Sequence, residues 1–322
     1  VFALKGLSKA LSIYEIVQDT SKAESASEII LDKFPTSPAA DQVRLSKALW
    51  LIAREDTEKA KSLLIRLSAQ TSIDSLSASA LLELGRIYLS ELNWEKAIST
   101  WSEAMYKDRR STASFRARLE IADLYIYQGL TSDAIELLTA QIEKSSEVSK
   151  IAVLKIKIGD AYYRQGDFNS ALQYYKLGAE HLLDARLKFA WTSEMIGDMS
   201  SALTEYLEID RESPETNSIV KIRIAEIAQK TGKSEIAKHY WLKVISDPTQ
   251  VDSMGQYYWK FSQLLGNHPA NLVLLDSLSQ IIRNQYPGSP YTDDIVYASA
   301  LAYQQKDQHE SAINRYQELI DN

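Results

Sequence analysis

The residue types that most often perform catalysis or hold metal ions are few and dispersed in this 322-residue sequence. It contains no cysteine, which excludes disulfides, thiolate catalysis and zinc–thiolate sites. The histidines lie far apart, without the spacing of metal ligands, at positions His181, His239, His268 and His309. The adjacent carboxylates Asp293 and Asp294 stand at the start of a predicted helix, where they favour its dipole without any catalytic role. The sequence therefore predicts no metal site and no cofactor.

Short catalytic motifs are missing as well. The sequence shows no Gly-rich phosphate loop, no Ser nucleophile elbow and no zinc-protease helix. Its Gly-Asp pairs, which begin at Gly159, Gly166 and Gly197, are interpreted as parts of a repeat. We therefore expect a protein that is not an enzyme. An enzyme or a small-molecule carrier is the third alternative, after the two functions given below.

Composition favours a helical protein. Hydrophobic residues make up 45% and charged residues 25%, the values of a folded chain, and 11 Gly and 7 Pro are too few for many tight turns. The net charge of −7 argues against a nucleic-acid partner. No apolar run approaches the roughly 20 residues of a membrane span. Because the chain opens on Val1 rather than Met, we expect a processed chain, and the sequence is silent about targeting.

A repeat runs along nearly the whole sequence. Within the segment 154–175, Gly159, Tyr162, Gly166, Ala171 and Tyr175 form a pattern that returns elsewhere, as at Gly85, Tyr88, Ala97 and Trp101. The small residue of the second helix recurs at Ala26, Ala60, Ala97, Ala134, Ala171, Ala202, Ala237 and Ala312. Up to Ala237 the successive intervals are 34, 37, 37, 37, 31 and 35 residues. Intervals of this length indicate a repeat protein.

This pattern resembles the tetratricopeptide repeat (TPR) family. The resemblance implies an all-α fold, a right-handed superhelical solenoid of about nine helix–turn–helix repeats. Small residues at the Gly and Ala positions would let the paired helices approach closely, with large side chains filling the remaining space. Glycine is expected where the first helix ends in a left-handed conformation, at Gly129, Gly166, Gly197 and Gly232.

The sequence divides into regular repeats at 1–246, a divergent repeat at 247–290 and a final repeat at 291–322. The divergent repeat carries an aromatic segment at 257–261 and an enlarged turn. We favour a repacked core for it, and an exposed aromatic patch is the alternative. The segments 34–38 and 286–290 share an aromatic–Pro–x–Ser–Pro junction, in which Ser37 or Ser289 would cap a helix whose first residue is proline. This junction resembles that of bacterial cell-envelope TPR proteins, the outer-membrane assembly lipoproteins and the Tol–Pal coordinators.

The resemblance also implies a binding groove on the first helices. The corresponding positions are Leu82, Arg86, Leu89, Arg116, Leu119, Asp123, Ile126, Tyr127, Ile156, Asp160, Tyr163, Arg164, Leu187, Trp191, Glu194, Met195, Ile222, Glu226 and Gln229. From these we predict a groove formed by Arg86, Asp123, Tyr127, Asp160, Tyr163, Arg164, Trp191 and Glu194. Apolar residues, such as Leu82 and Ile156, stand where chaperone-binding relatives carry the key Lys, so a carboxylate clamp is not expected.

The sequence thus predicts a scaffold that binds another protein's helix or extended segment in a concave groove. Its location would be the periplasm or cell envelope, in an envelope or secretion complex, with a cytoplasmic location left open. The alternative is a structural protein that self-assembles through repeat ends or the 257–261 segment, so a homo-oligomer is possible.

Overall fold

The computed structural model describes residues 2–17, 19–179, 182–213, 218–246, 254–266, 268–286 and 288–320. It forms two compact units, Val1–Leu177 and Gly178–Asn322. These residues form eighteen α-helices and one turn of 3-10 helix, and no strand occurs among them. The helices follow one another as nine consecutive pairs, which confirms the predicted number of repeats.

The first unit contains α1 to α9 and most of α10, and its helices pack on their neighbours in sequence. Their bounds are α1 Phe2–Ile16, α2 Thr20–Lys33, α3 Pro38–Ala53, α4 Thr57–Gln70, α5 Asp74–Ser90, α6 Trp94–Lys107, α7 Thr112–Gln128, α8 Thr131–Ile142, α9 Val148–Gln165 and α10 Phe168–Ala179. The odd-numbered helices are the first helices of the repeats, and α3, α5, α7 and α9 also contact one another in turn. A row of adjacent first helices therefore forms one face of this unit.

The second unit continues the same order. Its helices are α11 Leu183–Met195, α12 Met199–Glu212, α13 Ser218–Lys230, α14 Ser234–Ile245, α15 Met254–Leu265, α16 Leu272–Gln285, α17 Thr292–Gln305 and α18 His309–Ile320. The 3-10 turn Pro269–Asn271 occupies the predicted enlarged turn between α15 and α16. Paired helices again contact each other and the helix that follows.

Close packing of paired helices depends on glycine opposite an aromatic ring. Trp101 of α6 is fully buried over Gly85 of α5, and its indole nitrogen donates a hydrogen bond to the Leu82 carbonyl at 3.0 Å. Tyr175 of α10 covers Gly159 of α9 in the same way, because a methyl group at Gly159 would lie 2.6 Å from the Tyr175 ring. The small residues of the repeat pattern thus let the paired helices approach closely, as predicted.

Left-handed residues end the first helices. The φ angles of Gly129, Gly166, Gly197 and Gly232 are all positive, as predicted. In three other repeats a residue with a side chain takes this conformation, at Glu55, Leu92 and Asp307. Gly266, which follows α15, also has a positive φ angle. The turn geometry is therefore common to repeats with and without glycine, and only the turns that contain glycine could be recognised from the sequence.

The two similar junctions differ in their caps. The Ser37 hydroxyl accepts a hydrogen bond from the Ala40 backbone at 3.1 Å, and Pro38 is the first residue of α3, as predicted. The prediction for Ser289 is wrong, because α17 begins at Thr292. Ser289 instead accepts from the Tyr291 backbone at 3.4 Å and packs against Gly255 of α15, so residues 290 and 291 form a turn. Pro287 lies outside the described residues.

The aromatic segment 257–261 belongs to the core of the second unit. Tyr258 and Phe261 are buried, and Trp259 stacks on Tyr291 with ring centroids 5.2 Å apart. The alternative of an exposed aromatic patch here is wrong, because these rings pack against α14, α16 and α17. Self-association through repeat ends stays a prediction, which light scattering over a concentration range would test.

The predicted division at residues 246 and 290 concerns the regularity of the repeats, which the two compact units do not test. Residues 247–253, where the divergent repeat was placed to begin, lie outside the described residues. None of the described helices has the length and apolarity needed to span a membrane.

Candidate functional site

Side chains predicted for the groove share one face of α7 and of α9. Glu120, Asp123 and Tyr127 follow each other at three- and four-residue spacing, which places them on the same side of α7. Lys157, Asp160 and Arg164 repeat this spacing on α9. We call the surface formed by Arg86, Glu120, Asp123, Tyr127, Lys157, Asp160, Tyr163 and Arg164 the first-helix face of unit 1.

Ion pairs connect neighbouring first helices across this face. Arg86 of α5 binds Glu120 of α7 with an Nη2–Oε1 distance of 2.6 Å, and also pairs with Glu83 at 2.9 Å. Asp123 of α7 binds Lys157 of α9 at 2.6 Å. Both interhelical pairs join residues 34 positions apart. Two of the predicted groove residues are therefore already neutralised by partners within the protein.

The hydrogen-bonded residues of the face also include Asp160, whose carboxylate accepts from the Tyr175 hydroxyl at 2.8 Å. Asp160 thus fixes the aromatic ring that covers Gly159. Arg164 is exposed in the last turn of α9. The polar groove residues consequently differ in role, since Asp160 supports the core while Arg164 faces solvent.

Two aromatic residues of the face remain accessible. The Tyr127 residue is 68% exposed and its ring meets the edge of the Trp94 ring, with ring centroids 6.1 Å apart. Tyr163 is 37% exposed because Phe168 lies edge-on against it at 5.2 Å. Neither Trp94 nor Phe168 was predicted as part of the site. Both stand at the first residue of a second helix, a recurring position that could have drawn attention to them.

The remaining predicted site residues, Trp191 and Glu194, lie on α11 in the second unit. Trp191 is 56% exposed and Met195, one helical turn later, is 55% exposed. Glu194 pairs with Arg223 of α13 at 3.5 Å. Further along the unit, Glu226 of α13 pairs with Lys260 of α15. Each unit therefore has exposed aromatic side chains beside interhelical ion pairs.

Three positions assigned to the groove by resemblance are occupied by side chains that pack within the protein. Leu82 and Ile156 are each only 4% exposed and contribute to the core between helices. The Gln229 side chain accepts a hydrogen bond from the indole nitrogen of buried Trp241 at 2.8 Å. These assignments are corrected, because the packing of neighbouring helices engages all three side chains.

The partners in the ion pairs, Glu120, Lys157, Arg223 and Lys260, were missed by the sequence analysis. Opposite charges 34 residues apart on predicted first helices are the signal that could have found three of the four pairs. Among the described residues, no group of three or more His, Asp or Glu side chains is placed to hold a metal ion.

Comparison with known proteins reveals similarity of structure alone. No protein-family model matches the sequence. The search of curated proteins finds no match either.

Solved structures of TPR proteins match over most of their length. One from Parabacteroides merdae is 13% identical, with 83% of this chain and 100% of that chain covered and a TM-score of 0.53. The C-terminal part of a TPR protein from Cytophaga hutchinsonii is 14% identical, with 84% and 98% covered and a TM-score of 0.50. PilW, described as a type IV pilus biogenesis factor, is 14% identical, with 66% and 94% covered and a TM-score of 0.50. Together with the nine helix pairs, these likenesses show that the chain has the tetratricopeptide repeat fold.

Proposed function

We propose that this protein is a non-enzymatic scaffold whose first helices bind a helix or an extended segment of a partner protein. The observation that supports it best is the contrast on the first-helix face of unit 1. Its charges at Arg86 and Asp123 are satisfied by neighbouring helices, whereas Tyr127 is 68% exposed. A side chain of this size gives a partner much buried area at little cost in conformational entropy.

The ion pairs have a distinct role in this proposal. Exposed pairs contribute little to stability, typically about 0–1 kcal/mol. They do connect α5, α7 and α9, and they pair the charges of four residues on the face that carries Tyr127. A surface with paired charges around an exposed ring suits a partner segment that presents an apolar side chain between polar ones.

Trp191 and Met195 present a second apolar pair on α11 of unit 2, flanked by the Glu194–Arg223 ion pair. We propose that it serves the same type of contact within its own unit. Arg164 and Glu194 would then contribute polar contacts at the rim of each surface, where specificity rather than affinity is set.

The test compares partner capture by the full chain with capture by Tyr127→Ala, by Trp191→Ala and by the double variant. Tyr163→Ala is a weaker choice for unit 1, since Phe168 covers part of that ring. The double variant should lose at least about 90% of the captured partner. Removing even one interface aromatic worth over 1.4 kcal/mol weakens binding about tenfold.

The matched control carries Ile65→Ala and Leu242→Ala, which remove exposed apolar side chains from the second helices α4 and α14. It should capture the partner as the parent does, with unchanged helix content by circular dichroism. Equal capture by the folded Tyr127→Ala/Trp191→Ala variant would disprove the binding role of the first helices.

We further propose a location in the bacterial cell envelope or periplasm, within an envelope or secretion complex. Its support is the Phe34-Pro35-Thr36-Ser37-Pro38 junction. PilW, described as a type IV pilus biogenesis factor, is one of the structures with a similar fold. Recovery of the native protein only in the cytosolic fraction of its own cells would reject this location.

A further inference from the structure

A cleft with positively charged walls lies in unit 1 where α6, α7 and α8 meet. It has a volume of about 430 Å³, within the range of small-molecule sites. We call it the basic cleft, and define it by Tyr106, Arg109, Arg110, Arg118, Gln141 and Lys144. Because successive helix residues are about 100° apart, Arg118 lies roughly opposite Glu120 on α7, so the cleft is separate from the first-helix face.

Arg118 is the most enclosed of these cations. Its side chain is half-buried, and no acidic residue or hydrogen-bond acceptor pairs with it in the part of the chain that the structure describes. Burial lowers the pKa of Arg118, as expected for a cation partly removed from water. Arginines enclosed to this degree are normally paired, since a desolvated charge without a counter-charge is costly. The guanidinium thus retains its full capacity to bind an anion.

The other charged residues of the cleft have the same sign. Arg109 lies over the Tyr106 ring, with 5.9 Å between its guanidinium carbon and the ring centroid. Arg110 and Lys144 line the same cleft from the turns that follow α6 and α8. In a protein of net charge −7, four cations around one cleft form a local region of positive potential.

Acidic side chains near the cleft do not neutralise it. The Asp108 carboxylate accepts a hydrogen bond from the Arg110 backbone at 3.1 Å rather than from a guanidinium. Glu103 is directed to Lys107 on the same helix, at 3.9 Å. The positive charge of the basic cleft is therefore available to a ligand.

We propose that the basic cleft binds a tetrahedral dianion, a phosphate group, held by the Arg118 guanidinium with Arg109, Arg110 and Lys144 around it. An arginine fork matches two phosphate oxygens with parallel hydrogen bonds. Several converging cations favour a dianion over a single carboxylate, because the Coulomb energy grows with the ligand's charge. The phosphate is that of a free ion or of a small phosphate ester. This inference does not depend on the proposed scaffold function.

The experiment titrates the full chain with inorganic phosphate at constant ionic strength, with calorimetry and melting temperature as readouts. Phosphate should raise the melting temperature by several degrees, because it binds only the folded state. Arg118→Met should weaken binding at least about tenfold, the loss expected from a charged hydrogen bond. The control Arg116→Gln removes an exposed arginine from the same helix and should bind as the parent does.

Arg118→Met should fold at least as stably as the parent in phosphate-free buffer, because it removes an unpaired, half-buried charge. Should that variant not fold, Arg109→Gln/Lys144→Gln alters only exposed side chains and should weaken binding in its place. Equal binding by the parent and by the folded cleft variants would overturn the proposal, since the effect would then be one of bulk salt.

Two further ligands identify what the cleft accepts. Glycerol phosphate binding at least as tightly as inorganic phosphate would assign the site to phosphate esters, and binding of inorganic phosphate alone would assign it to the free ion. Acetate that binds as tightly as phosphate would contradict a dianion site.

Discussion

At the scale of single residues, each repeat depends on a few exact fits between a small residue and a large one. Gly159 accommodates the Tyr175 ring, and the Tyr175 hydroxyl then reaches Asp160 on the same first helix. Gly85 and Trp101 form the equivalent pair two repeats earlier. A residue that resembles a site residue by position, such as Asp160, is therefore also part of the internal support of the repeat.

Gly159→Ala should destabilise the protein by about 1–3 kcal/mol, because the added methyl group would overlap the Tyr175 ring in a packed core. Gly6→Ala is the matched control, since nothing lies within 4 Å of the position of its methyl group in α1. That control should gain about 0.5–1 kcal/mol from the better helix propensity of alanine. Urea unfolding measures both changes, and equal stability of the two variants would contradict this account of Gly159.

At the scale of helices, the second helices α12 and α14 are joined by a tyrosine hydroxyl and a buried carboxylate. Tyr240 of α14 donates to the buried Asp210 of α12 at 2.8 Å, and Lys243 pairs with the same carboxylate at 3.2 Å. Burial, and then this hydrogen bond, raise the pKa of Tyr240. Burial, with a smaller effect of Glu194, also raises the pKa of Tyr206 on α12 to about 12.

Stability should consequently fall at alkaline pH. A folded-state pKa above the ordinary value of about 10 means that the stabilisation by protonated Tyr206 is complete below pH 10. It is lost as the pH rises from 10 through about 12. In Tyr206→Phe the free energy of unfolding should fall by about 1–2 kcal/mol less than in the parent over this pH range, because phenylalanine has no proton to lose. This value is reduced for partial solvent screening. Urea midpoints across this pH range give the difference, and parallel profiles for parent and variant would refute it. Tyr127→Phe, with its exposed ring, serves as control.

Helix pairing was predictable from the sequence because a recurring Gly, Tyr and Ala pattern has one simple physical solution, two close helices. The left-handed turn at Leu92 could not be predicted from the sequence, because this position has no glycine. Leu82 was assigned to the groove although it is buried, because spacing gives the side of a helix and not the depth to which its neighbour covers it. Arg86 and Asp123 were identified, but their partners depend on which helices lie side by side.

At the scale of the whole molecule, apolar clusters are arranged along the chain, repeat by repeat. Among the residues that the structure describes, the first unit contains several separate clusters, whereas a large cluster in the second unit extends from Ala190 to Ala302. Each helix contacts mainly its neighbours in sequence, so destabilisation at one place is expected to spread only through adjacent repeats. Local opening, rather than unfolding of the entire chain, should therefore be the first response to damage.

Trp241→Ala tests this locality, because Trp241 is fully buried in the second unit and its indole nitrogen is bound to Gln229. The substitution should cost about 3–5 kcal/mol. Hydrogen exchange should accelerate in α13, α14 and α15 while protection in α3 to α6 stays unchanged. Trp191→Ala removes an exposed tryptophan and should alter neither region. Loss of protection throughout Trp241→Ala, including α3 to α6, would instead mean that all repeats unfold as one cooperative system. Only in such a system can a cavity in one cluster lower the opening free energy of every helix.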